Sequence, residues 1–141
     1  MKAVKGIFLI SVSILSAVLI YRRSLPVQVM AIYQDNNFTD ILVKDFPLSE
    51  HGKREWWGTN KDKMEKEFDF PKKDAQGRYR IIIWSFGDGY KKMPNHDNRL
   101  STETSDLLCF ETLKKEANCI DKKRLMTIEK NLNGPELITV Q

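Results

Sequence analysis

Arg78-Tyr-Arg-Ile-Ile-Ile-Trp-Ser-Phe86 decides the fold. Ile81 to Trp84 are apolar at successive positions, and a strand alternates its side chains between two faces, so this stretch must be buried on both sides. It therefore predicts a central strand, ended by the turn-forming run Gly87-Asp-Gly-Tyr90. Upstream, Val27-Gln-Val-Met-Ala-Ile-Tyr33 and Phe38-Thr-Asp-Ile-Leu-Val-Lys44 flank Gln34-Asp-Asn-Asn37, a hairpin pattern. Phe46-Pro47 stops the second strand, and Ser49 can cap a helix running through Trp56, Trp57, Met64 and Phe68, with Gly58-Thr59 as the point where it can break. Downstream, Leu107–Phe110 and Arg124–Ile128 read as further strands, the connection between them tied by Cys109 and Cys119. Asn133-Gly-Pro135 turns the chain before Leu137–Val140. The expectation is an α+β domain, a mainly antiparallel sheet covered by one long, breakable helix.

The chain has 141 residues with 23 Lys plus Arg against 19 Asp plus Glu, a formal charge of +4. Lys2, Lys5, Arg22 and Arg23 lie in residues 1–24, which hold no acid, so residues 25–141 carry 19 basic and 19 acidic side chains. Between Lys5 and Arg22 run sixteen residues without a charge, Gly6–Tyr21. At about 1.5 Å per residue they span roughly 24 Å, short of the roughly 30 Å hydrocarbon core, so Lys5, Arg22 and Arg23 must snorkel while Tyr21 sits at the interface. A cleaved signal peptide shares the basic start and apolar run. Tyr21-Arg22-Arg23-Ser24 offers no small-x-small cleavage site, and the first cysteine is Cys109, which leaves no lipid-modified cysteine near the segment. The favoured reading divides the chain into an N-terminal membrane anchor, 1–24, with a single transmembrane helix held in the lipid bilayer through 6–21, and a soluble domain, 25–141.

Orientation is weakly determined by charge, because both flanks are basic. The cysteines supply a second criterion: two in the soluble part, ten positions apart, suit one Cys109–Cys119 disulfide in an oxidising compartment. Together these place the N-terminus in the cytoplasm and the domain in the periplasm of a bacterial inner membrane.

Chemistry is sparse. His51 and His96 sit in no motif, and no CxxC, HxxxH or HExxH spacing points to a metal. Phe86-Gly-Asp-Gly-Tyr90 lacks the phosphate-loop patterns, and no nucleophile elbow occurs. No cofactor is expected. A domain balanced at 19 to 19 lacks the electrostatic footprint of nucleic-acid binding. Adjacent Trp56 and Trp57 point about 100° apart on a helix, so one of them can remain exposed beside the Gly87–Ser105 loop. Trp56, Trp57, Asp88, Tyr90 and Lys91 are accordingly the candidate partner-binding residues.

Ile41-Leu-Val-Lys-Asp-Phe-Pro47, Gly52 with Trp56-Trp57 and Asn60-Lys61, Pro71, Ile83-Trp-Ser-Phe-Gly-Asp-Gly-Tyr-Lys91, Leu108-Cys-Phe110 and Asn118-Cys-Ile120 occur in this order after a short apolar segment. In this the chain resembles a family of enterobacterial putative membrane proteins of unknown function. The resemblance spans most of 27–125 and implies a small single-pass inner-membrane protein with a periplasmic body; it carries no catalytic residues to transfer. The expected function is a non-enzymatic protein-binding module, with toxin neutralisation as an immunity-like role. The alternatives are an envelope-stress or assembly accessory factor and a carboxylate-based hydrolase near Asp88.

Overall fold

A computed structural model describes residues 2–93 and 106–141; His96 and the polar stretch through Ser105 lie outside the described residues. The chain forms α1 (Lys2–Ser24), β1 (Gln28–Asp35), β2 (Phe38–Lys44), α2 (Glu50–Phe68), β3 (Tyr79–Ser85), β4 (Lys91–Lys92), β5 (Leu107–Cys109), β6 (Ala117–Asp121), β7 (Arg124–Lys130) and β8 (Leu137–Val140). It is an α+β protein with an apolar N-terminal helix and two sheets, one of five strands in the order β1-β2-β3-β7-β8 and one of three in the order β4-β6-β5. At 23 residues, α1 runs beyond Lys5 and Tyr21 and is about 34 Å long. By length and composition its Ala3–Tyr21 stretch suffices to cross a bilayer, a property that signal sequences share.

The five-stranded sheet is mixed. β2 pairs antiparallel with β1 but parallel with β3, Ile41 opposite Ile83, while β3–β7 and β7–β8 are antiparallel. Parallel neighbours need a crossover, and α2 lies in the connection between β2 and β3. β3 occupies the centre, and its alternation separates two apolar clusters. Ile81 and Ile83 join Ile41, Val43, Met126 and Ile128 with Trp57 and Met64 of α2. On the opposite face, Trp84 and the half-buried Ile82 meet Leu42, Phe110 and Ile120, the last from the small sheet.

Three details differ from the sequence-based expectation. α2 is continuous through Gly58, which is exposed with open space around it, so the glycine removes no packing contact and the helix passes through it. Ala117–Asp121 is a strand, β6, pairing with both β4 and β5. The Cys109–Cys119 bond therefore joins directly opposed residues of neighbouring strands instead of tying a loop between Leu107–Phe110 and Arg124–Ile128. Ser49 caps α2 by accepting the Gly52 N–H at 3.0 Å.

Ile81 is fully buried at the junction of β3 and α2. Ile81→Ala should cost about 2–5 kcal/mol in a denaturant titration of the full chain, and Cys109→Ser with Cys119→Ser about 2–3 kcal/mol.

Candidate functional site

The sheet gives the domain two ends. Gln28 pairs with Lys44, Val43 with Ser85 and Trp84 with Arg124, so these residues share the end that adjoins α1. Phe38 pairs with Arg80, Tyr79 with Lys130 and Glu129 with Leu137, which defines the far end, about 25 Å away by strand length.

Sequence reasoning placed five residues in a partner-binding patch, and they fall into two separate groups. Trp57 is 1% exposed in the α2-side cluster, and the half-buried Trp56 meets the Phe46 ring edge-on at 5.1 Å. Tyr90 packs on the opposite face of the sheet, its ring edge-on to Phe86 and its hydroxyl 2.5 Å from that of Tyr33. Burial, with the Tyr33 hydrogen bond, pushes the Tyr90 phenol well above its usual range. Asp88 is exposed in a turn whose glycines, Gly87 and Gly89, have φ of 54° and 96°. Lys91 pairs with Asp121 at 2.6 Å, and that hydrogen bond raises its pKa. The tryptophans and the Asp88–Lys91 segment thus lie on opposite faces.

The far end holds an arrangement that local sequence patterns do not reveal. Register aligns Phe38, Arg80, Glu129 and Leu137 across β2, β3, β7 and β8, a row about 14 Å wide. The Phe38 ring is 47% exposed with the Arg80 guanidinium 5.7 Å from its centroid, and Arg80 pairs with Glu129 at 3.1 Å. Leu137 and, in the loop that precedes it, Leu132 expose more than half their surface. An open depression of about 350 Å³ adjoins this row, its rim including Asn37, Asp74, Arg78 and Asn131. Asp74 is locked into that rim: it accepts from the Arg78 and Gln76 N–H groups and pairs with the Arg78 guanidinium at 2.6 Å, and these bonds, led by the Arg78 N–H, hold its carboxyl below the usual range.

Behind the depression a polar triad links β3, α2 and the residue just before β8. The Tyr79 hydroxyl and the Lys61 ammonium both donate to the Glu136 carboxylate, Lys61 at 3.1 Å. Burial alone would raise the Glu136 pKa, but these two donors outweigh it and lower it. Tyr79 moves the other way, pushed up by burial and by its bond to the anionic Glu136. Nearby Glu65 is raised, first by burial, with the Glu136 charge adding to it. His51 stands exposed, 3.7 Å from Glu55. Among the described residues no group of three or more His, Cys, Asp and Glu side chains could hold a metal. The far end thus combines aromatic and leucine surface, a guanidinium and hydrogen-bonded acceptors.

Residues 2–141 match the family model described as "Enterobacterial putative membrane protein (DUF943)". The chain belongs to this family. Among curated proteins and among solved structures nothing matches the chain. Membership in the DUF943 family agrees with an apolar N-terminal helix and assigns no activity.

Because the Glu136 pKa is lowered in the folded state, its contribution to stability is present above the unfolded value near 4.5 and is lost as pH falls through the lower, folded value. Glu136→Gln should be less stable than the native chain at pH 7 by about 1 kcal/mol, a figure reduced by solvent screening. In urea titrations from pH 7 to pH 3 the gap should narrow below about pH 4.5; a gap constant across that range contradicts the charge-assisted triad.

Proposed function

We propose that this protein is a single-pass inner-membrane protein whose periplasmic domain is a protein-binding module, with the partner docking on the far end of the sheet. The observation that carries the reading is the Phe38–Arg80–Glu129–Leu137 row: a half-exposed aromatic ring under a guanidinium at one end and an exposed leucine at the other, held on four hydrogen-bonded strands. Aromatic and arginine side chains dominate binding energy at protein interfaces, and a rigid sheet presents them without the entropic cost of ordering a loop. The placement of the row, a strand length from the anchor, leaves it accessible to a partner in the periplasm or to one displayed by another envelope protein. The Cys109–Cys119 bond supports the periplasmic side, since such bonds persist in oxidising compartments. Neutralisation of an incoming toxin is one form this binding would take; an envelope accessory role would use the same face on a resident protein.

A photo-crosslinking side chain at position 38 should trap a discrete protein in intact cells, and one at position 55, on the exposed side of α2, should not. Phe38→Ala with Leu137→Ala should weaken the trapped complex at least about tenfold in a pull-down titration, which corresponds to about 1.4 kcal/mol. Equal trapping at 38 and 55 counts against the face. A membrane-impermeant thiol reagent should label a cysteine placed at position 132 from outside the inner membrane; protection there would reverse the orientation.

A further inference from the structure

Resting on the reading of α1 as an anchor, we propose that the near end of the domain is itself a lipid-contacting surface, in which Leu48 enters the headgroup region of an anionic bilayer and Lys44, Lys123 and Arg124 meet lipid phosphates. Reach comes first. Only Leu25–Val27 separate α1 from β1, and extended chain covers at most about 3.6 Å per residue, so Gln28 lies within about 14 Å of the end of the anchor. The register then fixes what else shares that level: Lys44 beside Gln28, Ser85 beside Val43, and the Lys123 carbonyl accepting the Ser85 N–H at 2.9 Å.

Two features of this end fit a bilayer. Leu48 is 96% exposed, yet its loop is braced. The Ser49 hydroxyl and carbonyl accept the Gly52 and Lys53 N–H groups, and Pro47 lies so close to Gly52 that a Cβ there would meet the proline Cβ at 2.9 Å. The loop therefore closes down on the first turn of α2 and holds the leucine outward, away from the core.

The second feature is charge. Lys122, Lys123 and Arg124 are consecutive and exposed at the β6–β7 turn. Arg124 and Lys44 are placed over the rings of Trp84 and Phe86, at 5.4 and 5.3 Å, an arrangement that leaves their charge available to a phosphate. The exposed acids near this end are Asp45, Asp88 and Asp106, with Glu50 and Asp121 paired to Arg54 and Lys91. An exposed apolar side chain that shares one end of the sheet with basic ones, held within reach of the membrane, is the pattern of interfacial binding, in which an apolar insertion and lipid electrostatics add.

Full-length protein in vesicles, with its disulfide intact, tests this through an environment-sensitive fluorophore on Leu48→Cys, Leu132→Cys or Val12→Cys and spin-labelled lipid as quencher. In phosphatidylcholine vesicles containing phosphatidylglycerol, position 48 should be quenched severalfold more strongly than position 132. It should lose that quenching in pure phosphatidylcholine and in the Lys123→Glu, Arg124→Glu variant. If position 12 is quenched while position 48 reports water in both vesicle types, the surface contact is overturned and the anchor stands. An unquenched position 12 overturns the anchor and the contact with it, and equal quenching of position 48 with and without phosphatidylglycerol overturns the anionic assignment.

Discussion

Parallel pairing of β2 with β3 is the constraint on which the rest of the domain depends. After Lys44 the chain stands at the near end of the sheet, and to lay β3 alongside β2 in the same direction it must return to the far end before Tyr79. A helix of 19 residues is about 28 Å long, slightly more than the seven-residue strands it spans, so α2 makes that return in one run. Its direction follows: the Ser49 cap lies at the near end and Phe68 at the far end, where Gln34 of β1 donates to the Phe68 and Asp69 carbonyls. The helix leaves β3 free to pair with β7 on its other edge, which places Ile81–Trp84 at the centre and requires an apolar layer on each face.

Fixing α2 to that sheet relies on few apolar residues. Only Lys53, Trp57 and Met64 of the helix are buried, so its inward stripe is narrow. Polar contacts to the last strand and its flanks complete the attachment: the Lys53 ammonium donates to the Gln141 carbonyl, Arg54 to the Ile138 carbonyl and Lys61 to Glu136. Each polar head reaches an acceptor while its aliphatic stem lies along the protein, the arrangement that lets a lysine be buried at all. β8, a four-residue edge strand, is thus held from one side by β7 and from the other by helix side chains, and its outer edge is less open to pairing with another chain.

The sequence made the central strand legible because four successive apolar residues allow no half-exposed strand, and the β1–β2 hairpin because turn residues separate two β-rich runs. β6 was not legible: Ala117-Asn-Cys-Ile-Asp121 shows neither clear alternation nor an apolar run, and it forms because β4 and β5 pair with it on both edges and a disulfide joins it to β5. The parallel partner of β3 was equally hidden, since local pattern does not identify which distant strand lies alongside. The far-end row needs four strands in register, from Phe38 to Leu137, and no window of sequence contains it. Adjacency in sequence implies that Trp56 and Trp57 differ in burial, whereas the Phe46 ring beside one and the core around the other are not visible there.

An overall balance of 19 basic and 19 acidic residues in 25–141 does not make the two ends of the domain alike. At the far end the charges are joined locally: Arg78 to Asp74, Arg80 to Glu129, Lys61 to Glu136 and Lys72 to Asp69. A partner meeting that end encounters pairs whose fields largely cancel beyond a few ångströms, so its selectivity must come from shape, the Phe38 ring and hydrogen bonding. At the near end Lys44 and Arg124 lie over aromatic rings, which neutralise nothing. Charge that is not cancelled by its neighbours acts over a Debye length, about 8 Å at physiological salt, a distance comparable to the reach of the three-residue tether. The tether and that charge therefore operate on the same length scale, and the short link to α1 makes long-range steering unnecessary: whatever surface holds α1 would already lie within range of the near end's charge.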